Sequence, residues 1–121
     1  MKVPSRLNEK VLSALQIAKL TGEIKTGLFE VMRSLEFGKA KYLIIPLDAR
    51  PKNNKIRKKF ATLHLLAKDK KIFCFDISDQ KTLGKIVGLD MGVSCVSILN
   101  PDRAESLFKS VMQEMQQEVR I

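Results

Sequence analysis

A single histidine, His64, is the first scarcity of this 121-residue chain. Nothing close to it in sequence supplies further metal ligands or a nucleophile. It therefore reads as a satisfied or surface helix residue, and neither a metal centre nor a histidine-assisted catalytic pair is expected. There are only two cysteines, Cys74 and Cys95. Both lie inside apolar runs, KIFCFDI and VSCVSIL, without the paired spacing of a zinc knuckle, so reduced packing residues are expected. No apolar run approaches the roughly 18 residues of a membrane span, and MKVPSRLNEK carries no apolar signal segment. A cytoplasmic protein with no membrane partner is the expectation. Neither the dinucleotide nor the P-loop glycine fingerprint follows any strand-like run. Asp48, Asp76, Asp79 and Asp90 fall in loops or at strand ends with no catalytic companions, which suits turn and cap roles. No catalytic residue, cofactor or small-molecule substrate emerges, so the chain does not read as an enzyme.

Hydrophobic residues at 45% and charged residues at 29% describe an ordinary globular chain. Its length suits one domain spanning residues 1–121, with a core that needs no staples. The net charge of +9 is unevenly placed. From Gly38 to Lys71 there are eleven Lys and Arg against two acids, a local excess of nine, whereas the remainder carries eleven of each sign. Such an excess suits a surface that meets polyanions. A solvated lysine-rich helix would give the same count, and charge alone does not separate the two.

Periodicity divides the chain into alternating helices and strands. Ser5 or Asn8 can cap a first helix with Leu7, Val11, Leu12, Leu15 and Ala18 on one face, stopped at Thr21 and Gly22. A short strand, Glu23 to Thr26, precedes Gly27 and a second helix with Leu28, Val31, Met32 and Leu35 inward, ended by Gly38. YLIIPL is apolar throughout, as a strand buried on both faces should be, with Pro46 at its end. Lys52 to Lys68 reads as a third helix, with Ile56, Phe60, Leu63 and Ala67 inward and Lys55, Arg57, Lys58 and Lys59 outward. KIFCFDI is a second buried strand. Ser78 caps a short helix that Gly88 closes, and Val93 to Leu99 form a third apolar strand. Asn100 and Pro101 open a last helix with Asp102 and Glu105 near its start. Its apolar stripe is Ala104, Leu107, Phe108, Val111, Met112, Met115 and Val119. This order predicts an α/β chain folded as a three-layer α/β/α sandwich around a four-stranded, mostly buried mixed sheet.

Two glycine-bounded places could hold a ligand. One is Lys25, Thr26 and Gly27 at the entrance of the second helix, with Glu30 and Arg33 one turn on. The other is Gly88, Leu89, Asp90, Met91 and Gly92. Helix amides and basic side chains hold phosphates, and exposed apolar loop residues pack on an unstacked base. On physics alone, a capped helix and a tight loop are the better explanation of both.

Three segments in this order, TGEIKTG followed by Glu30, KAKYLIIPLDARP, and LGKIVG followed by LDMGVSCVSIL, resemble the L7Ae/L30e family of kink-turn RNA-binding and ribosomal proteins. The resemblance covers Asn8 to Phe108, and LGKIVGLDMG is most similar to the small bacterial ribosome-associated homologues. It implies the sandwich fold and a site on the sheared G·A pairs of a kink-turn. Lys25, Gly27 and Glu30 match the family's basic glycine motif. Arg33 takes its later basic place, Thr26 replaces a frequent lysine, and Leu28 completes the segment. The family asparagine falls on Phe29, which can neither donate to nor accept from a base edge. The family's flipped-base loop maps to Leu89, Asp90, Met91, Gly92 and Val93, and Arg50 stands before Pro51 where nucleolar relatives have an acid.

The resemblance thus implies a non-enzymatic binder of structured, ribosomal-type RNA with ribosomal proteins among its partners. Phe29, Leu89 and Met91 also admit a protein-interaction module on the same fold. An accessory domain of an RNA-modifying enzyme is a third reading, although no cofactor-binding segment is present.

Overall fold

A computed structural model describes residues 1–49 and 53–119, with the side chains of residues 118 and 119 outside the description. Arg50, Pro51, Lys52 and the Val119 side chain thus fall outside it. A 3-10 turn, Ser5–Leu7, leads into α1, Asn8–Thr21. β1, Glu23–Thr26, and α2, Leu28–Glu36, follow, then β2, Tyr42–Ile45, and α3, Asn54–Asp69. β3 is Phe73–Asp76, α4 Gln80–Ile86, β4 Val96–Asn100 and α5 Glu105–Val119.

The strands form one mixed sheet in the order β1-β4-β2-β3. β4 runs against both β1 and β2, whereas β2 and β3 are parallel. The three strands β1, β2 and β3 therefore all end at the edge where β4 begins. The start of α2, the connection after β2, the start of α4 and the loop before β4 all gather there.

β2 lies between two strands and two helical layers, which explains its unbroken apolar run. Tyr42 and Ile44 enter one core with Leu7, Val11, Leu15, Phe75, Ile98 and Phe108. Leu43 and Ile45 enter the other with Val31, Leu35, Leu63, Ala67 and Cys95. The first layer is α1, α4 and α5, and the second is α2 and α3, which is the expected α/β/α sandwich. Tyr42 stacks on Phe108 at 4.8 Å between ring centroids, and its hydroxyl donates to Glu105 Oε1 at 3.3 Å. Burial, and then the Glu105 carboxylate, push the Tyr42 phenol up to about 12.

Several local expectations need correction. β3 is an edge strand and only half-buried apart from Phe75, because among the described residues its outer side meets no further strand, only residues 1–3, where Lys2 bridges Asp76 and the Met1 amino group donates to the Cys74 carbonyl at 2.8 Å. Ile56, in the first turn of α3, is exposed, whereas Leu63 and Ala67 further along the helix do face inward. Asn53 caps α3, accepting from the Ile56 amide at 2.8 Å. Asp79, not Ser78, caps α4, accepting from the Thr82 amide at 2.7 Å, while Ser78 occupies the turn before it at φ 66. Asn100 accepts from the Asp102 amide at 3.0 Å, but a 3-10 turn, Asp102–Ala104, precedes α5. β4 begins at Val96, three residues later than expected, because Val93 is held by the Gln80 carbonyl at 3.0 Å.

Candidate functional site

The entrance to α2 is fixed by main chain. Gly27 is its N-cap at φ 87 and ψ 152, a conformation essentially confined to glycine. Its amide donates to the Cys95 carbonyl at 3.0 Å, and its carbonyl accepts from Val31 at 3.0 Å. No side chain caps this end, so the first amides of α2 have no intrahelical partner. Thr26 pairs with Val96 and Lys25 with Ser97, which places Lys25 beside the helix it precedes. A buried hydrogen bond of 2.8 Å between Ser34 and Ser97 ties α2 to β4.

Lys25, Glu30 and Arg33 line one cleft of about 260 Å³ together with Glu23, Ser34, Phe37, Lys39 and Leu99. The expected motif residues are therefore brought together. Phe29 points outward and is 71% exposed, so it does not fill the core. Arg33 lies over the Phe29 ring at 5.7 Å and over the Phe37 ring at 5.8 Å, held between two aromatic faces. Sequence reasoning missed Phe37, itself 64% exposed. Its spacing eight residues from Phe29 and four from Arg33 was the available signal. On the other side of Phe29, a groove of about 540 Å³ runs between α2 and α3, lined by Leu28, Met32, Lys58 and Lys59. Part of the excess charge of the Gly38 to Lys71 window thus borders the same surface.

The second expected segment reaches the same end of the sheet. Gly84 in α4 packs so close to the Met91 carbonyl that a Cβ there would overlap it, and Gly92 lies against Gln80. The Gln80 amide donates to Asp48 Oδ1 at 2.9 Å, joining this loop to the connection after β2. Met91 is 73% exposed, and Leu89, Asp90 and Gly92 are also exposed. Val93 is the correction: at 4% exposure it is a core residue that anchors the loop and offers no contact surface. Arg50 lies outside the described residues.

Of the acids, Asp48 serves as a tie and Asp79 as a cap through the bonds given above. Asp76 does more. With Cys74 and His64 it forms a group whose ligand atoms all lie within 4.8 Å of one another, contrary to the expectation that His64 has no such neighbours. Burial pushes the Asp76 carboxyl up, but His64 and the amino group of Met1 outweigh it and hold the group down to about 2. Asp76 in turn pushes His64 up. Burial raises the Cys74 thiol, and both cysteines are free, as expected of packing residues. No helix among the described residues is long and apolar enough to cross a membrane.

Two solved structures share this architecture. One is described as "Giardia lamblia 15.5kD RNA binding protein", 19% identical over 94% of this chain and 91% of that one, with a TM-score of 0.79. The other is a protein with unknown function from Bacillus halodurans C, 17% identical over 83% and 94%, with a TM-score of 0.67. At those identities the likeness is one of fold. The matching of residues 9–108 to a sequence family, covering α1 to the first turn of α5, says more: this chain belongs to the Ribosomal protein L7Ae/L30e/S12e/Gadd45 family.

Proposed function

We propose that this chain is a non-enzymatic, cytoplasmic RNA-binding domain, residues 1–121. It acts on kink-turn or related ribosomal RNA as a ribosomal or ribosome-associated protein. Members of its family are generally non-enzymatic RNA-binding proteins. The observation that carries the reading is the cleft uniting Lys25, Glu30 and Arg33 at the open start of α2. Lys25 and Arg33 neutralise phosphate, the first amides of α2 add donors, and Glu30 accepts from base amino groups. Phe29 cannot read a base edge but can stack on one, while Leu28 and Thr26 set its position. Leu89 and Met91 pack on an unstacked base, Asp90 and Gly92 shape their loop, and the cation of Arg50 adds to the phosphate-neutralising charge.

Binding to a kink-turn RNA, titrated over a range of salt, tests this. Log affinity should fall linearly with log salt, with a slope near −0.9 per neutralised phosphate on a duplex region. Affinity no better than for an arbitrary hairpin at the same salt would remove the specific-recognition claim. Phe29→Asn should raise affinity for a standard kink-turn; unchanged binding would mean that recognition lies elsewhere.

The exposure of both Phe29 and Phe37 favours a second reading, a protein-interaction module on this fold. Co-purification with RNA after a high-salt wash would count against it.

A further inference from the structure

At the opposite edge of the sheet from β1, the C-terminal half of α3 crosses over β3 and brings three different donor chemistries to one point. Cys74 Sγ lies 3.4 Å from Asp76 Oδ1, and His64 Nε2 lies 3.9 Å from the same oxygen. In a tetrahedral site with a metal–sulfur bond of about 2.3 Å and metal–nitrogen or metal–oxygen bonds of about 2.0 Å, ligand atoms stand roughly 3.3 to 3.6 Å apart. The observed spacings, none beyond 4.8 Å, need a closure of roughly 1.5 Å at most. Exposed His64 can make that movement by side-chain rotation. The two strand ligands are a Cys-x-Asp pair, which a pleated strand presents on one face.

The orientation of His64 is the second, independent observation. Its Nδ1 lies 2.9 Å from the Phe60 carbonyl, one turn earlier in α3, and a carbonyl can only accept. A proton is therefore held on Nδ1; Nε2 faces the Asp76 carboxylate, as a donor while the ring is protonated, and presents its lone pair toward Cys74 and Asp76 once a metal displaces that proton. A backbone carbonyl fixing the far nitrogen is the arrangement that orients metal-ligating histidines. Without a metal, Asp76 has two positive partners, the Met1 amino group 3.0 Å from Oδ2 and, when its ring is protonated, His64 3.9 Å from Oδ1.

We propose that His64, Cys74 and Asp76 form a site for a borderline-soft divalent transition ion such as Zn²⁺, with the fourth position open to water. Binding forms bonds from Nε2, Sγ and Oδ1 to the ion and breaks the S–H bond of Cys74, whose proton passes to solvent. No group changes oxidation state. The mixed nitrogen, sulfur and oxygen donors suit Zn²⁺ or Co²⁺ over Mg²⁺ or Ca²⁺, which take oxygen alone. The site stands apart from the α2 entrance and does not depend on RNA binding.

The test uses the full chain under reducing conditions. One equivalent of Co²⁺ should produce a thiolate-to-cobalt charge-transfer absorption, reversed by Zn²⁺ and not by excess Mg²⁺. Cys74→Ser should abolish the band, and His64→Ala should weaken Zn²⁺ binding by at least about 100-fold, while Cys95→Ser keeps both. In the unaltered chain, Zn²⁺ should also slow alkylation of Cys74 at least about tenfold relative to Cys95, a readout that does not depend on any variant folding. A missing charge-transfer band, equal Zn²⁺ affinity in Cys74→Ser and the unaltered chain, or no protection of Cys74 would each overturn the proposal and leave an ion-pair network only.

Discussion

The α2 entrance and the loop between α4 and β4 reach the same end of the sheet by different means. The first is built from main chain: Gly27 in a glycine-only conformation, bonded to Cys95 and Val31, with no side-chain cap. The second is built from packing: Val93 sunk in the core and Gly84 pressed against the Met91 carbonyl. A frame held by backbone bonds tolerates exchange of its side chains, which is how an exposed Phe29 can stand in the first turn of α2 without disturbing it. A frame held by packing keeps its apolar character because the anchor and the exposed residues share one short segment.

That difference can be broken deliberately. Gly84→Ala should have the largest effect, about 3 kcal/mol in denaturant unfolding, because the added methyl meets backbone that cannot yield without moving the loop. Gly27→Ala should cost about 2 kcal/mol through strain alone, since a Cβ there meets nothing within 4 Å. A smaller loss for Gly84→Ala than for Gly27→Ala would contradict the contrast between packing and conformation. Side-chain changes should move binding and leave stability within about 0.5 kcal/mol. Phe29→Ala and Met91→Ala should each weaken RNA binding by about 1.5 kcal/mol, measured by titration, as removal of one base-stacking partner does.

The smallest effect concerns the shared support. Tyr42 holds its proton more tightly folded than unfolded, so its contribution to stability is complete below pH 10 and is lost as pH rises toward about 12. Melting temperatures from pH 9 to 12 should therefore decline less steeply in Tyr42→Phe than in the unaltered chain. An identical decline would mean that ionisation of the buried Tyr42 phenol contributes nothing to the loss.

Much of this fold was legible because it depends on local rules. The apolar continuity of YLII suits a strand covered twice, although Leu47 beyond it is exposed, and Leu63 and Ala67 lie inward as helical spacing required. Misplacements arose where tertiary geometry overrides pattern. Ile56 has the spacing of a core residue but lies exposed in the first turn of α3, and Val93 has the sequence of a contact loop but the burial of an anchor. The Lys25, Glu30 and Arg33 grouping was visible because its members are within one strand end and two helical turns. The His64, Cys74 and Asp76 group was not, because it exists only where α3 lies over β3, and no spacing along the chain announces that crossing.

The Arg33 side chain, with Phe29 and Phe37 on either side, also has a thermodynamic meaning. Free arginine side chains sample many rotamers, and ordering one costs about 2 kcal/mol. Here that disorder is reduced when the protein folds, before any ligand arrives. Association should then carry a smaller entropic penalty, and calorimetry should find it returning when both rings are replaced by alanine.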